Sequence, residues 1–266
     1  MPELPEVENV VRGLKKNILN KKIYGVEVLT ESIINGDQNF TQKVQGQIID
    51  DIQRRGKYII IKLNQGNLLI HLRMTGKLLY NGDIDKHTHL IIYLAQDTRL
   101  NYKDVRKFGR ILYLSDSQLQ NYLATKVGLE PLEMSFEEFS QRIMKKKGPI
   151  KKNLLDQGVI AGIGNIYADE ILFASGLKPQ YPTEKLDPAD LKAIYENIKS
   201  ILKIAIEAGG STIRDYVDST GKAGDFQNFH KVYGRFGQTC VRCNSSLDKT
   251  KIAGRTTVFC PDCQKG

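Results

Sequence analysis

No stretch of the 266-residue chain approaches the ~20 consecutive apolar residues that a membrane-spanning helix requires. The opening residues, Met-Pro-Glu-Leu-Pro-Glu, are acidic and lack the apolar segment of a secretory leader. No membrane partner is therefore expected, and the cytoplasm is the default compartment. Internal repeats and low-complexity tracts are missing too, which sets aside solenoids and disordered tails. Cysteine is scarce: there are four, all between positions 240 and 263. In a reducing compartment such thiols point to a metal before disulfides. What is present is globular, with 41% apolar and 26% charged residues, and the length suits one large or two ordinary domains. The imbalance lies in the charge. Lys and Arg number 39 against 30 Asp and Glu, giving +9 and a pI near 9.2, a balance that favours a polyanionic partner.

The pattern changes along the chain. Residues 5–19 read as an amphipathic helix with Val7, Val10, Val11, Leu14 and Ile18 on one face, slightly weakened by Gly13. Strand-like segments follow at 23–29, 58–63, 68–72, 77–80, 90–95, 99–102 and 110–114, separated by turn residues such as Asn64 to Asn67 and Asn81 to Asp83. That spacing predicts an antiparallel sandwich or barrel with the first helix packed on it. From about 117 the pattern turns helical, with helices expected near 136–147, 150–157, 165–175, 187–208 and in part 211–217. Gly128 to Pro131 is the expected hinge. The fold class is thus α+β: a β-rich domain over 1–130, a helical one over 131–234, and a metal-bound hairpin over 235–266.

Cys240-x-x-Cys243 and Cys260-x-x-Cys263, sixteen residues apart, have the spacing of a closed four-thiolate zinc site, structural rather than catalytic, so one zinc ion is expected. The hairpin between them carries Arg255 beside Gly254 at its tip. A rigidly mounted arginine suits phosphate, although a solvated turn arginine looks the same in sequence. Upstream, the basic run from Arg142 to Lys152 joins two helices, and Ala161 to Asn165 opens the next. A glycine turn into a helix N-terminus offers backbone N–H groups to phosphate, and Asn165 could add its side chain or merely cap the helix. Together these read as a helix–two-turns–helix. In the first half, Met74 and Phe108 sit in turns near Arg73 and Arg106 and could wedge into a base stack or simply fill the core. Lys57 could be a catalytic amine, a phosphate ligand or a strand-end charge. Residues 219–228 have the composition of a loop or lid.

The N-terminus has two readings as well. Pro5 with Glu6 and Glu8 is an ordinary helix start. Pro2 and Glu3 are not explained by it. Removal of Met1 before the small Pro2 would leave a secondary amine, and α-amino groups titrate near pH ~8. Such an amine can attack an electrophilic sugar carbon and form an imine, with Glu3 alongside as a proton donor.

Taken in order, these segments resemble the bacterial formamidopyrimidine-DNA glycosylases over essentially the full length. The matching stretches are Pro2 to Glu8, Arg54 to Tyr58, His71 to Met74, Lys86-His87, Asp104 to Gly109, Ala161 to Glu170, Gly209 to Arg214, Val232 to Gly234, and the four cysteines around Arg255. The resemblance implies a bifunctional glycosylase and AP lyase for oxidised purines, 8-oxoguanine and formamidopyrimidines, acting on double-stranded DNA as a monomer associated with the nucleoid. By family pattern Pro2 attacks the deoxyribose C1′, Glu3 assists at the sugar oxygen, Lys57 serves β-elimination and Arg255 δ-elimination. Met74, Arg106 and Phe108 match the group that fills the gap left by a flipped nucleotide. His71, His87, Lys151, Asn165 and Tyr233 fall on positions that contact the DNA backbone, and 219–228 on the loop covering the flipped base. Thr75 departs from part of the family, where some members carry an acid near the lesion pocket. Two rivals stand beside this reading. An endonuclease VIII-type glycosylase for oxidised pyrimidines would resemble Pro-Glu-Gly-Pro at its start and would lack the Met…Arg-x-Phe arrangement. A non-catalytic zinc DNA-binding protein leaves Pro2, Glu3 and Lys57 without a role.

Overall fold

A computed structural model describes every residue from Met1 to Gly266 except Gln96. The chain packs as two compact units, one formed by Met1–Thr125 with Ile206–Gln227, the other by Lys126–Ala205 with Asn228–Gly266. By packing, residues 206–227 thus belong with the N-terminal unit, and the cysteine hairpin with the helices.

The first unit is a sandwich of two four-stranded antiparallel sheets. One has the order β1 (Gly25–Val28), β6 (Thr88–Ala95), β7 (Thr98–Asp104), β5 (Gly76–Tyr80). The other runs β2 (Ile49–Arg55), β3 (Tyr58–Leu63), β4 (Asn67–His71), β8 (Arg110–Leu114). Helix α1 (Leu4–Ile18) lays Val7, Val10, Val11, Leu14 and Ile18 into the core between them. Each such side chain contributes about 2 kcal/mol of burial. Gly13 has a cause the sequence did not reveal: a Cβ there would lie 2.1 Å from Oγ of buried Ser219.

The apolar run Ile59-Ile60-Ile61 does not alternate because both faces of its sheet are covered. Ile59 and Ile61 enter the main core, while Ile60 and Leu69 meet Leu119 of α3 (Asp116–Lys126). Strand β2 was not expected, since Asp50, Asp51, Gln53, Arg54 and Arg55 make it polar. It buries only Ile49 and Ile52, and a register shift between Ile49 and Asp51 breaks its alternation.

The second unit holds α4 (Phe136–Ile143), α5 (Ile150–Leu155), α6 (Asn165–Ala174), all but the last two residues of α7 (Pro188–Glu207), and the hairpin β9 (Asp248–Ile252) and β10 (Arg255–Phe259). The helix expected near 211–217 does not form. Its segment is held by side chains instead: Ser211 N–H donates to Glu6 (2.7 Å), Thr212 N–H to Gln227 (2.8 Å), and the Thr212 hydroxyl to the Tyr216 carbonyl (3.0 Å).

Candidate active site and nucleic-acid interface

The N-terminus is anchored where a frayed end is the rule. Pro2 is buried, Glu3 is 3% exposed and Glu6 1%, while Met1 stands out at 40%. Glu6 provides the anchor. Its Oε2 accepts the Glu3 N–H (2.7 Å) and its Oε1 the Ser211 N–H (2.7 Å), while Tyr216 donates to the Glu6 carbonyl (3.2 Å). Gly210, at φ +81°, leaves room for this, since a Cβ there would meet Glu6 Oε1 at 2.8 Å. Two residues on, Glu8 accepts from Arg54 (2.8 Å) and Arg12 (2.9 Å). Burial pushes the Glu8 carboxyl up, but the two guanidiniums outweigh it and hold the group below its usual range. The Glu8–Arg54 pair ties α1 to the β2–β3 hairpin. That hairpin turns on Gly56-Lys57, with Gly56 at φ +55° in the position a two-residue turn reserves for glycine. Lys57 is buried, at 5% exposure.

Its neighbour Tyr58 pairs with His71 across the β3–β4 register. Burial, then the charges of Arg73 and Lys57, push its imidazole down to about 3. A neutral ring whose Nδ1 accepts the Arg73 N–H (3.0 Å) carries its proton on Nε2 as a donor. His87 is half-buried, its N–H fixed by Asp85 at 2.8 Å. Met74 (44% exposed) and Phe108 (49%) are not core residues; both face solvent. Between them Arg106 puts Nη1 3.1 Å from Met74 Sδ and its guanidinium 4.7 Å from the Phe108 ring centre.

In the second unit α5 and α6 flank two turns. Gly162 does not offer its N–H outward: Gln157 accepts it (3.0 Å) and donates to the Ile163 carbonyl (2.8 Å). Asn165 does not cap α6. Its oxygen accepts from Lys151 (2.6 Å) and its amide donates to the Thr256 carbonyl of the hairpin (3.0 Å). Lys151, expected at the DNA backbone, is wholly buried. Its ammonium contacts Asp169 (2.6 Å), also fully buried, together with Asn165 and Thr257 (2.6 Å each). Burial pushes the Asp169 carboxyl up, against the pull of that ammonium. Tyr233 is half-exposed, and its loop is held by Glu170, whose carboxylate accepts the N–H groups of Lys231, Val232 and Tyr233 at 2.8–3.0 Å.

The four cysteine sulfurs lie within 4.8 Å of one another, with Cys240–Cys263 at 3.8 Å and Cys243–Cys260 at 3.5 Å. Disulfides would need about 2 Å. Tetrahedral zinc with Zn–S near 2.3 Å sets sulfurs about 3.8 Å apart, so the donors fit zinc. N–H groups of Arg242 and Cys263 point at Cys240 and Cys260 sulfur (3.4 and 3.3 Å), which suits thiolates. Zinc bound there would hold the hairpin and leave no open coordination position. At the hairpin tip Ala253 (φ +48°) and Gly254 (φ +75°) form the tight turn, leaving Arg255 exposed beside it.

The residues that position the site were the ones sequence reasoning passed over. An acid in a first helical turn looks ordinary, and nothing local announces that Glu6 bonds a residue 205 positions away. Asp169 and Glu170 carried one signal, two acids inside an otherwise apolar helix with eight buried positions.

A model of the formamidopyrimidine-DNA glycosylase N-terminal domain matches residues 1–111, that family's H2TH domain matches 127–217, and a zinc finger found in FPG and IleRS matches 237–266. The formamidopyrimidine-DNA glycosylase of Streptococcus pneumoniae is 42% identical over 272 residues, covering 100% of this chain and 99% of its own. Two solved structures superpose over the full length of both chains at 38% identity. They are a Lactococcus lactis FPG mutant with Fapy-dG-containing DNA (TM-score 0.93) and a MutM with DNA containing carbocyclic 8-oxo-G (TM-score 0.92). With a sandwich, an anchored Pro2, a helix–two-turns–helix and a four-cysteine hairpin in one chain, this protein belongs to the formamidopyrimidine-DNA glycosylase family.

Proposed function

We propose that the chain excises oxidised purines from duplex DNA and then cleaves the strand at the abasic site, with Pro2 as the attacking amine. The observation that carries this is the burial and anchoring of Pro2 and Glu3, which a non-catalytic binder has no use for. After Met1 is removed, the Pro2 nitrogen lone pair forms a bond to C1′ of the damaged nucleotide. The base leaves with the glycosidic electron pair and takes up the proton shed by the Pro2 nitrogen; Glu3 then protonates the sugar ring oxygen as the C1′–O4′ bond opens, and the nitrogen lone pair closes the C=N bond of an iminium. That iminium acidifies the C2′ proton. Its loss breaks the bond to the 3′ phosphate, with Lys57 serving the proton transfer, and a second elimination releases the 5′ phosphate, assisted by Arg255. Water then hydrolyses the imine and frees Pro2.

The exposed Met74, Arg106 and Phe108 fill the stack behind the extruded nucleotide. His71 donates from Nε2, and His87, Asn165 and Tyr233 grip the backbone, with Lys151 acting through Asn165. The division into 1–130, 131–234 and 235–266 is supported by the three family matches, and DNA as substrate supports a place in the cytoplasm on the nucleoid. The structure's helices include none long and apolar enough to cross a membrane among the described residues.

Borohydride added during turnover reduces the imine to a stable amine. A duplex containing 8-oxoguanine is expected to yield a covalent adduct that Pro2→Gly does not form, with far less on thymine glycol. Preference for thymine glycol would move the chain to the endonuclease VIII type, and no adduct on either would leave a DNA-binding protein. Intact mass shows directly whether Met1 is gone.

A further inference from the structure

One buried carboxylate of the first unit takes no part in that chemistry. Asp104, at the end of β7, is 1% exposed, and each oxygen accepts two donors. Oδ1 takes the Thr75 hydroxyl (2.5 Å) and the Arg106 N–H (3.1 Å); Oδ2 takes the Tyr102 hydroxyl (3.1 Å) and the Gly109 N–H (2.8 Å). Burial opposes ionisation, but these donors win and hold the group below the usual carboxylate range. Glycines make the approach possible. A Cβ on Gly76 would sit 2.7 Å from the Tyr102 hydroxyl, and one on Gly109 1.7 Å from it.

Three of these donors come from two turns that are separate in sequence. Thr75 follows Met74 in the β4–β5 turn, while Arg106 and Gly109 flank Phe108 in the β7–β8 turn. Thr75 Oγ1 also lies 3.2 Å from the Arg106 N–H, closing the junction. Arg73 and Lys107, each at φ +55°, show that both turns are held in a left-handed conformation that costs non-glycine residues energy.

We infer that Asp104 is a positioning residue, clasping the two turns through Thr75 so that Met74, Arg106 and Phe108 enter the base stack as one rigid wedge. The inference rests on the wedge reading given under Proposed function. Thr75 is then architectural: its hydroxyl proton is committed to the Asp104 carboxylate and is not offered to a lesion base.

The test uses the full-length protein and a natural abasic site placed in a duplex or in a single strand, where no stack has to be filled. Thr75→Val is expected to slow single-turnover borohydride trapping on the duplex about tenfold, the scale of one lost charge-assisted hydrogen bond, with less than about twofold change on the single strand. Thr75→Ser, which keeps the hydroxyl, should match wild type. Asp104→Asn should exceed Thr75→Val, because an amide facing Tyr102 and Gly109 sets donor against donor. A fluorescent cytosine analogue opposite the abasic site reports stack entry without chemistry, and its signal should drop in Thr75→Val and Asp104→Asn only. Wild-type trapping and fluorescence by Thr75→Val, or equal loss on both DNAs, overturns the clasp. If wild type traps neither DNA, the catalytic reading fails, and the fluorescence series still decides the clasp.

Discussion

Pro2 on the N-terminal mount and Arg255 on the zinc hairpin, the residues proposed to attack the sugar and to assist the second elimination, are held by opposite means. At the N-terminus the apolar face of α1 sinks into a sandwich core, and two carboxylates, Glu6 and Glu8, tie its first turns to Ser211 and Arg54. The hairpin has no comparable core. Leu247, Val258, Cys240 and Cys260 form a small cluster with Phe173 and Val232, and the rest of the work falls to four thiolates and one buried lysine. A segment this short cannot bury enough apolar surface to fix itself. A chain end needs only local anchors where a large core already exists, whereas a small appendage must be crosslinked.

Removing the crosslink should therefore break one side only. Chelation of zinc, or Cys243→Ser, is expected to collapse the hairpin and lower DNA affinity at least about tenfold, since metal binding and folding are one event in such sites. The sandwich should melt as before. Unchanged DNA affinity in metal-free protein, measured by fluorescence anisotropy, would remove the hairpin from the interface.

The second attack is on the lysine. Lys151→Met strands Asp169 with neither water nor a cation, a loss of about 3–5 kcal/mol, while pairing it with Asp169→Leu should recover most of it. Zinc retention and calorimetric melting check both, and a Lys151→Met protein as stable as wild type would show that the pair does not hold the hairpin to α5 and α6.

On the N-terminal side Glu6→Gln is nearly isosteric. Its amide can still accept one N–H but turns a donor toward the other, a cost of about 1–3 kcal/mol. Adduct formation should fall more than melting temperature does, because the anchor fixes the amine more than it holds the core. Equal loss of both would make Glu6 a plain core residue.

How much of this could be read from the chain follows from the same contrast. The cysteine spacing, the α1 face and the β-rich first half are local patterns, and each appears where expected. Strand β2 escaped because only Ile49 and Ile52 face the core. Asn165 stayed open between a phosphate ligand and a cap because its partners in the fold, Lys151 and Thr256, lie on other elements. Burial of Lys151 was equally hidden, since a lysine in a basic run looks like surface until Asp169 is placed beside it. Long-range polar pairs leave no periodic trace, so the framework was legible and its anchors were not.

The smallest effect separates the two units by pH. His71 of the first unit is pushed down to about 3 by burial and the charges of Arg73 and Lys57, and His230 of the second to about 4 by burial alone. Each binds its proton more weakly folded than unfolded, where histidine titrates near ~6.5. Between those values the unfolded chain holds more protons, so stability is full above about pH 6.5 and declines as pH falls toward 4. For His71 the loss at pH 5 is about 1–2 kcal/mol, and His71→Gln should flatten that share of the melting-temperature profile between pH 7 and 5. DNA affinity should show no histidine step near pH 6.5 from His71, because Nε2 is a donor on both sides of it. A step that His71→Gln abolishes would mean the ring is charged on DNA, and that the backbone contact proposed for it is an ion pair instead of a neutral hydrogen bond.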